Sequence, residues 1–366
     1  MLAQHNVKSQ SIELHHYEGL PYFFKLEDQS TDIPFDFFAL VFYLLSRYEE
    51  YVYPDKDDHG RWASHQAVAV QGGFIHLPII DLWLHRIHAI IEKRHSHRFN
   101  QNKGYQLKPT IDIDLPYAYK TKFWRNALAL IRDIILFDNE KVKARIRYLL
   151  KNKDPFDQYD YLIEALGKYK EAIFFFLCRF QSPYDENFLL HHRYFEEIVK
   201  KVSDQFKIGI HPSYSSNKQS GYLKQEIDIL SELSDRTLTT SRQHYLKLSI
   251  PHTYQSLIYH GIQEDHSMLY ADQIGFRAST AHPFYWFDLN QDKLTTLTIH
   301  SPCMMDVTLK DYLGLSPRQA IQQIEDLKKI VTRSGGSLEF IWHNSSFSEA
   351  HGWTGWQEVF EYLLRD

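Results

Sequence analysis

The chain has 366 residues, 43% hydrophobic and 15% aromatic, with a formal charge of −5 and a pI near 6.5. That is enough apolar material for two cored domains, and the charge balance excludes a strongly basic surface of the kind that gathers nucleic acid. Cys178 and Cys303 lie far apart and form no paired framework, so nothing demands an oxidising compartment.

The first residues, MLAQHNVKSQSIELHH, lack the charged start and apolar core of a signal peptide. The run PFDFFALVFYLLSRYEEY, residues 34–51, is apolar on nearly every face before a charged end, and predicts a buried helix closing at Tyr51. Its longest apolar stretch, Phe37 to Leu45, is about half a membrane span, so no span is expected and a soluble, cytoplasmic protein is the default. QAVAVQGGFIHLPII, residues 66–80, reads as two short strands around Gly72 and Gly73, and DLWLHRIHAIIEKRHSHRF returns to a helical period with a basic end. Residues 1–105 thus read as a small α/β domain.

From residue 106 to 366 the rhythm is strand, helix, strand, helix. LKPTIDID (107–114), AIFFFLC (172–178), IGIH (208–211), the strand-like LTTSRQHYLKL (238–248), LTTLTIH (294–300) and SLEFIWHN (337–344) are the strands. Between them, FWRNALALIRDIILF, VKARIRYLLK, FLLHHRYFEEIVKKV, YLKQEIDILSEL, TYQSLIYHGI and the segment from Pro317 to Thr332 are amphipathic helices. Alternation of this kind predicts a parallel sheet with helices outside, doubly wound or closed as a barrel, with ligands at the carboxyl ends of the strands.

Polar residues gather at those ends. Asp112 and Asp114 end the first of these strands, His211 ends the third, Arg242 and His244 lie on the fourth, and His343 ends the last. Carboxylates two apart on an extended chain point the same way, and a metal ion or an arginine relieves their repulsion. A divalent ion held by a carboxylate and imidazoles, a second carboxylate as base and a histidine as acid are what hydrolysis of an amide or ester needs. A strand-end D-x-D also serves as a turn or helix cap, and in a chain with 21 histidines a single one is often structural.

Taken in order, these segments resemble the polysaccharide deacetylase family (carbohydrate esterase family four, the NodB-homology domain). PTIDID is similar to its first motif, T-F-D-D; HPSYS, from His211, to H-[ST]-x-x-[HD]; RQHY, Arg242 to Tyr245, to R-x-P-Y; and FIWHN, with His343, to the final L-x-H. The resemblance covers residues 106–366 and implies a distorted (β/α)7 deacetylase-like barrel. PFDFFALVFYLLSRYEEY and HGRW also resemble an N-terminal domain that precedes some bacterial deacetylases.

Carried over, the resemblance makes Asp112 the general base, steadied by Arg242, and His343 the general acid. His211 becomes a metal ligand, the Tyr245 N–H an oxyanion donor and Asp265 an orienter of His343. It implies zinc or a similar divalent ion, and an acetylated glycan or glycan precursor as substrate, the acetyl being N- or O-linked. Two positions depart from the pattern. Ile113 occupies the place of the metal aspartate, so Asp114 would serve, and Ser215 stands where the second metal histidine is expected. A hydroxyl is a poor zinc ligand. Three readings stay open: His244 supplies the missing imidazole, water fills the position, or the site has lost metal and catalysis and the protein is a glycan-binding or scaffold relative. Arg277, Trp286, Trp353 and Trp356 are the residues that could line a glycan groove, with buried packing as the plainer reading for the rings.

Overall fold

The computed structural model describes all residues except 1–6, 29, 54, 96, 97, 100–103, 121, 122, 152, 179, 183, 187–192, 218, 219 and 366. Its contacts divide the chain into two units. One comprises Met1–Leu107, Thr239–Leu313 and Glu325–Phe340, and the other Lys108–Leu238, Gly314–Ile324 and Ile341–Asp366.

In the first unit, Asp36 caps the helix Phe37–Leu45 by accepting from the Ala39 N–H at 2.9 Å, which satisfies a donor that the first helical turn leaves over. The helix packs Leu40, Tyr43 and Leu44 into a cluster with Phe23, Phe35 and Trp83, the rings of Phe35 and Trp83 meeting edge to face. Phe38, 83% exposed, shows that this helix is buried on one side rather than all round. Arg47 adopts a left-handed conformation, φ 55°, and a second short helix, Tyr48–Val52, starts there.

That break delivers a charge cluster to the core. Arg47 donates to Glu49 at 2.7 Å and to Glu50 at 2.9 Å, and Arg277 donates to Glu50 at 2.6 Å, all four side chains being almost fully buried. Burial pushes the Glu50 carboxyl up, but Arg277 and Arg47 overcome it and hold Glu50 below the usual carboxylate range. A close approach of backbone joins the same two stretches. At Gly275, φ +121°, an added Cβ would lie 2.3 Å from the Ile75 carbonyl oxygen, which itself accepts from the Phe276 N–H at 2.7 Å. Only glycine suits that position.

The expected strands over residues 66–80 are absent. Ser64–Gln66 is a 3-10 turn, Val68–Gln71 one helical turn and Ile79–His95 a long helix. Glu49 caps the short helix by accepting from the Val68 N–H at 2.9 Å, and this tertiary contact overrides the local alternation. The unit's strands run Thr240–Ser241, Glu264–Asp265 and Lys293–Ile299 in parallel, with Phe284–Asp288 antiparallel at the edge. The expected strand over 238–248 shrinks to two residues, so Arg242 and His244 follow a strand instead of lying on it.

The second unit is built on three parallel strands, Gln106–Ile113, Ile173–Leu177 and Lys207–His211, in register with Asp112 opposite Phe175 and Leu177 opposite His211. The last strand, Ser337–His343, neighbours Gln106–Ile113. Phe174, Phe175 and Phe176 are fully buried, as expected for a strand covered on both faces. The covering helix Arg193–Ser203 buries Phe195, Ile198, Val199 and Val202, one stripe at helical spacing.

His351, in the turn after the last strand, is largely enclosed and packs its ring 4.9 Å from that of Phe156. Burial, with Lys141 and Arg145 adding to it, lowers its pKa from 6.5 to about 4. Between these values the unfolded chain takes up a proton that the folded chain refuses, so stability falls as pH falls. The loss expected between pH 6.5 and 4 is up to about 3 kcal/mol at 1.36 kcal/mol per unit. In His351→Gln, denaturant unfolding measured across this interval should lose that slope.

Candidate functional site

The carboxyl ends of the second unit's strands bring four of the expected residues together. Nε2 of His211 lies 3.2 Å from Oδ1 of Asp114 and 3.9 Å from Oδ2 of Asp112, and Nε2 of His343 lies 3.7 Å from Oδ2 of Asp114. Asp112 and His211 are buried, while the Asp114 side chain keeps 30% of its surface, so the group is open on the Asp114 side. Two carboxylates and two imidazoles at this spacing can hold a divalent cation and still leave one group of each kind to move protons.

Neighbouring loops fix the positions. Asp154 accepts from the backbone N–H groups of Ala118 and Tyr119 at 2.9 and 2.7 Å, closing the loop that follows Asp114. Asn344, directly after His343, donates to the Leu115 carbonyl at 3.0 Å and so ties His343 to the same loop. Asp185 accepts from the N–H groups of Tyr214 and Ser215 and, at 3.1 Å, from the Ser215 hydroxyl. The hydroxyl that stands in place of the second histidine is therefore engaged by a carboxylate. Glu226 accepts from the Ser213 N–H at 3.0 Å, completing the hold on the loop after His211.

In the first unit, Arg242 is fully buried, donating to Glu339 at 2.9 Å and to the His266 carbonyl at 3.0 Å. His244 is buried, and Tyr245 is 37% exposed with φ 59°. The leading block steadies this turn: Arg61 donates to the Tyr245 carbonyl at 2.9 Å, Lys247 donates to the His59 carbonyl, and the His59 ring lies 4.9 Å from that of Tyr245. Asp265 is fully buried and accepts from the hydroxyls of Ser241 and Ser267 at 2.8 and 2.9 Å and from the Ser267 N–H at 3.0 Å. Burial raises its pKa despite those donors.

The four residues that could line a glycan groove are all buried. Trp286, Trp353 and Trp356 are 0%, 8% and 3% exposed, and Trp353 and Trp356 pack edge to face at 5.4 Å. They offer no open ring face to a sugar, because the aromatic-rich chain uses them as core. Arg277 serves Glu50 and the Leu269 carbonyl, its guanidinium carbon 4.7 Å from the centre of the Tyr270 ring.

Sequence reasoning missed Arg61, Asp185, Glu339 and Asn344. Glu339 did leave a signal, as the one acid within the apolar strand SLEFIWH.

Residues 1–96 match the model of a family of unknown function, DUF7033. No curated protein matches the chain. Among solved structures it is similar to a candidate polysaccharide deacetylase from Mycobacterium smegmatis, at 14% identity and a TM-score of 0.44, over 73% of this chain and 85% of that one. It is also similar to a mutant of a CE4 family pseudoenzyme with restored enzymatic activity, at 10% identity and a TM-score of 0.30, over 70% of this chain and 63% of that one. No helix among the described residues is long and apolar enough to cross a membrane.

Proposed function

We propose that the protein is a metal-dependent hydrolase that removes an acetyl group, N- or O-linked, from a glycan or glycan precursor, on a distorted (β/α)7 barrel. The observation that carries this reading is the convergence of Asp112, Asp114, His211 and His343 at the carboxyl ends of strands of one sheet. Their donor set suits a divalent ion of the zinc type, with Asp114 and His211 as ligands and His244 as the third, the imidazole that the RQHY segment offers. Such an ion would supply an activated water and polarise the acyl carbonyl.

The protein's own groups then divide the proton work. Asp112, buried beside His211, takes the proton of the attacking water. His343 gives a proton to the departing nitrogen or oxygen, converting a poor leaving group into a neutral one. The Tyr245 N–H donates to the oxyanion. Arg242 positions the base. We assign Asp265 to fastening the strand ends through Ser241 and Ser267 rather than to orienting His343.

A second reading, a glycan-binding or scaffold protein without catalysis, is favoured by one observation: Ser215 replaces an expected ligand and its hydroxyl is already committed to Asp185. Elemental analysis separates the two. His211→Ala and His244→Ala should each lose about one divalent ion per chain relative to the unchanged protein. An unchanged metal content in His211→Ala sinks the hydrolase reading.

A further inference from the structure

A second group of metal-binding type lies within the first unit and takes no part in the proposed reaction. Glu264, His266 and His300 each place one ligand atom within 4.8 Å of the others. Oε2 of Glu264 is 3.7 Å from Nε2 of His266 and 3.4 Å from Nε2 of His300. Bonds of about 2.0–2.2 Å around a tetrahedral zinc set ligand atoms roughly 3.3–3.6 Å apart, so these separations are close to those of a formed site.

The backbone holds the three in place. Glu264 pairs with Thr240 on one side and Thr298 on the other, and the His266 and His300 N–H groups donate to the Ser241 and Asp265 carbonyls, both at 2.9 Å. A supporting carboxylate is also present: Nδ1 of His266 meets Oε1 of Glu339 at 2.8 Å, leaving Nε2 as the nitrogen turned towards Glu264. A histidine that spends one nitrogen on a carboxylate and offers the other to a cation is the common arrangement in metal centres. Arg242, which also pairs with Glu339, couples that carboxylate to the RQHY turn.

We propose that Glu264, His266 and His300 form a second site for a divalent transition-metal ion, completed by water and independent of the Asp114–His211 site. The two imidazoles are stacked, 4.1 Å apart and 5° from parallel, so one ring must turn about its Cβ–Cγ bond to aim its lone pair at a shared ion. His300 makes that turn, its side chain being 11% exposed against 1% for His266. The ion would join the ends of strands Glu264–Asp265 and Lys293–Ile299 and, through Glu339, brace Arg242.

The test uses the full chain carrying His211→Ala, which removes the first site from the count. After incubation with zinc and desalting, elemental analysis should find about one zinc per chain, and adding Glu264→Gln should reduce it to near zero. The partly exposed Glu264 makes this substitution mild, and circular dichroism verifies the fold. His300→Gln in the same background gives a second variant with the same expected loss. No zinc in the His211→Ala protein, or zinc that survives both further changes, overturns the proposal. The two sites fail separately: an ion lost with Glu264→Gln but indifferent to His211→Ala would leave this site standing and remove the hydrolytic one.

Discussion

Asp112→Asn should reduce acetate release by about 10²–10⁴-fold, the usual contribution of a positioned general base. Asparagine has the same shape and fits the buried pocket, so the surrounding strands stay as they are, but it has no affinity for the water's proton. Asp114 and His211 are untouched, and metal content should therefore hold constant while turnover collapses. This split separates a base from a ligand. A variant that loses metal along with activity would move Asp112 into the ligand set, and one that keeps full turnover would require another base. Acetylated chito-oligosaccharides and O-acetylated sugars together cover both linkages, with released acetate as the readout.

The second large effect is on stability. Glu50→Ala should destabilise the first unit by about 3–5 kcal/mol, because it leaves the guanidinium groups of Arg47 and Arg277 buried without their shared carboxylate. Urea unfolding at neutral pH measures it. Protonation imitates the same loss. Glu50 titrates below its ordinary value of 4.5 in the folded chain, so its contribution is complete above that value and drains away as pH falls through the folded pKa. Replacing Glu50, Arg47 and Arg277 with apolar residues of similar size, together with Glu49→Gln so that no buried carboxylate loses its partner, should recover much of the loss, since the penalty comes from uncompensated charge.

The strand ends were legible because their signals are local. PTIDID, KIGIH and FIWHN each join an apolar run to a polar tip, and the structure ends strands at Ile113, His211 and His343. What resisted reading depended on partners distant in sequence. QAVAVQ alternates like a strand, yet Glu49 caps it as a helix, and LTTSRQHY holds only two residues of strand because Arg242 turns away to Glu339, 97 positions later. The sequence leaves the tryptophans open for a related reason, with buried packing the plainer reading. A ring near a proposed site and a ring in the core have the same sequence, and only burial tells them apart.

The interleaving of Met1–Leu107 with Thr239–Leu313 also sets a timetable for synthesis. Glu50 leaves the ribosome 227 residues ahead of Arg277. At about 5–20 residues per second, the leading segment waits roughly 10–45 s for that partner. Until then the nascent chain carries Arg47, Glu49 and Glu50 without the Arg277 guanidinium that completes their cluster. The second unit's strands Ile173–Leu177 and Lys207–His211 have by then been synthesised, but its segment Ile341–Asp366 has not, nor has the first unit's Glu325–Phe340, so neither unit is complete until these late segments are made.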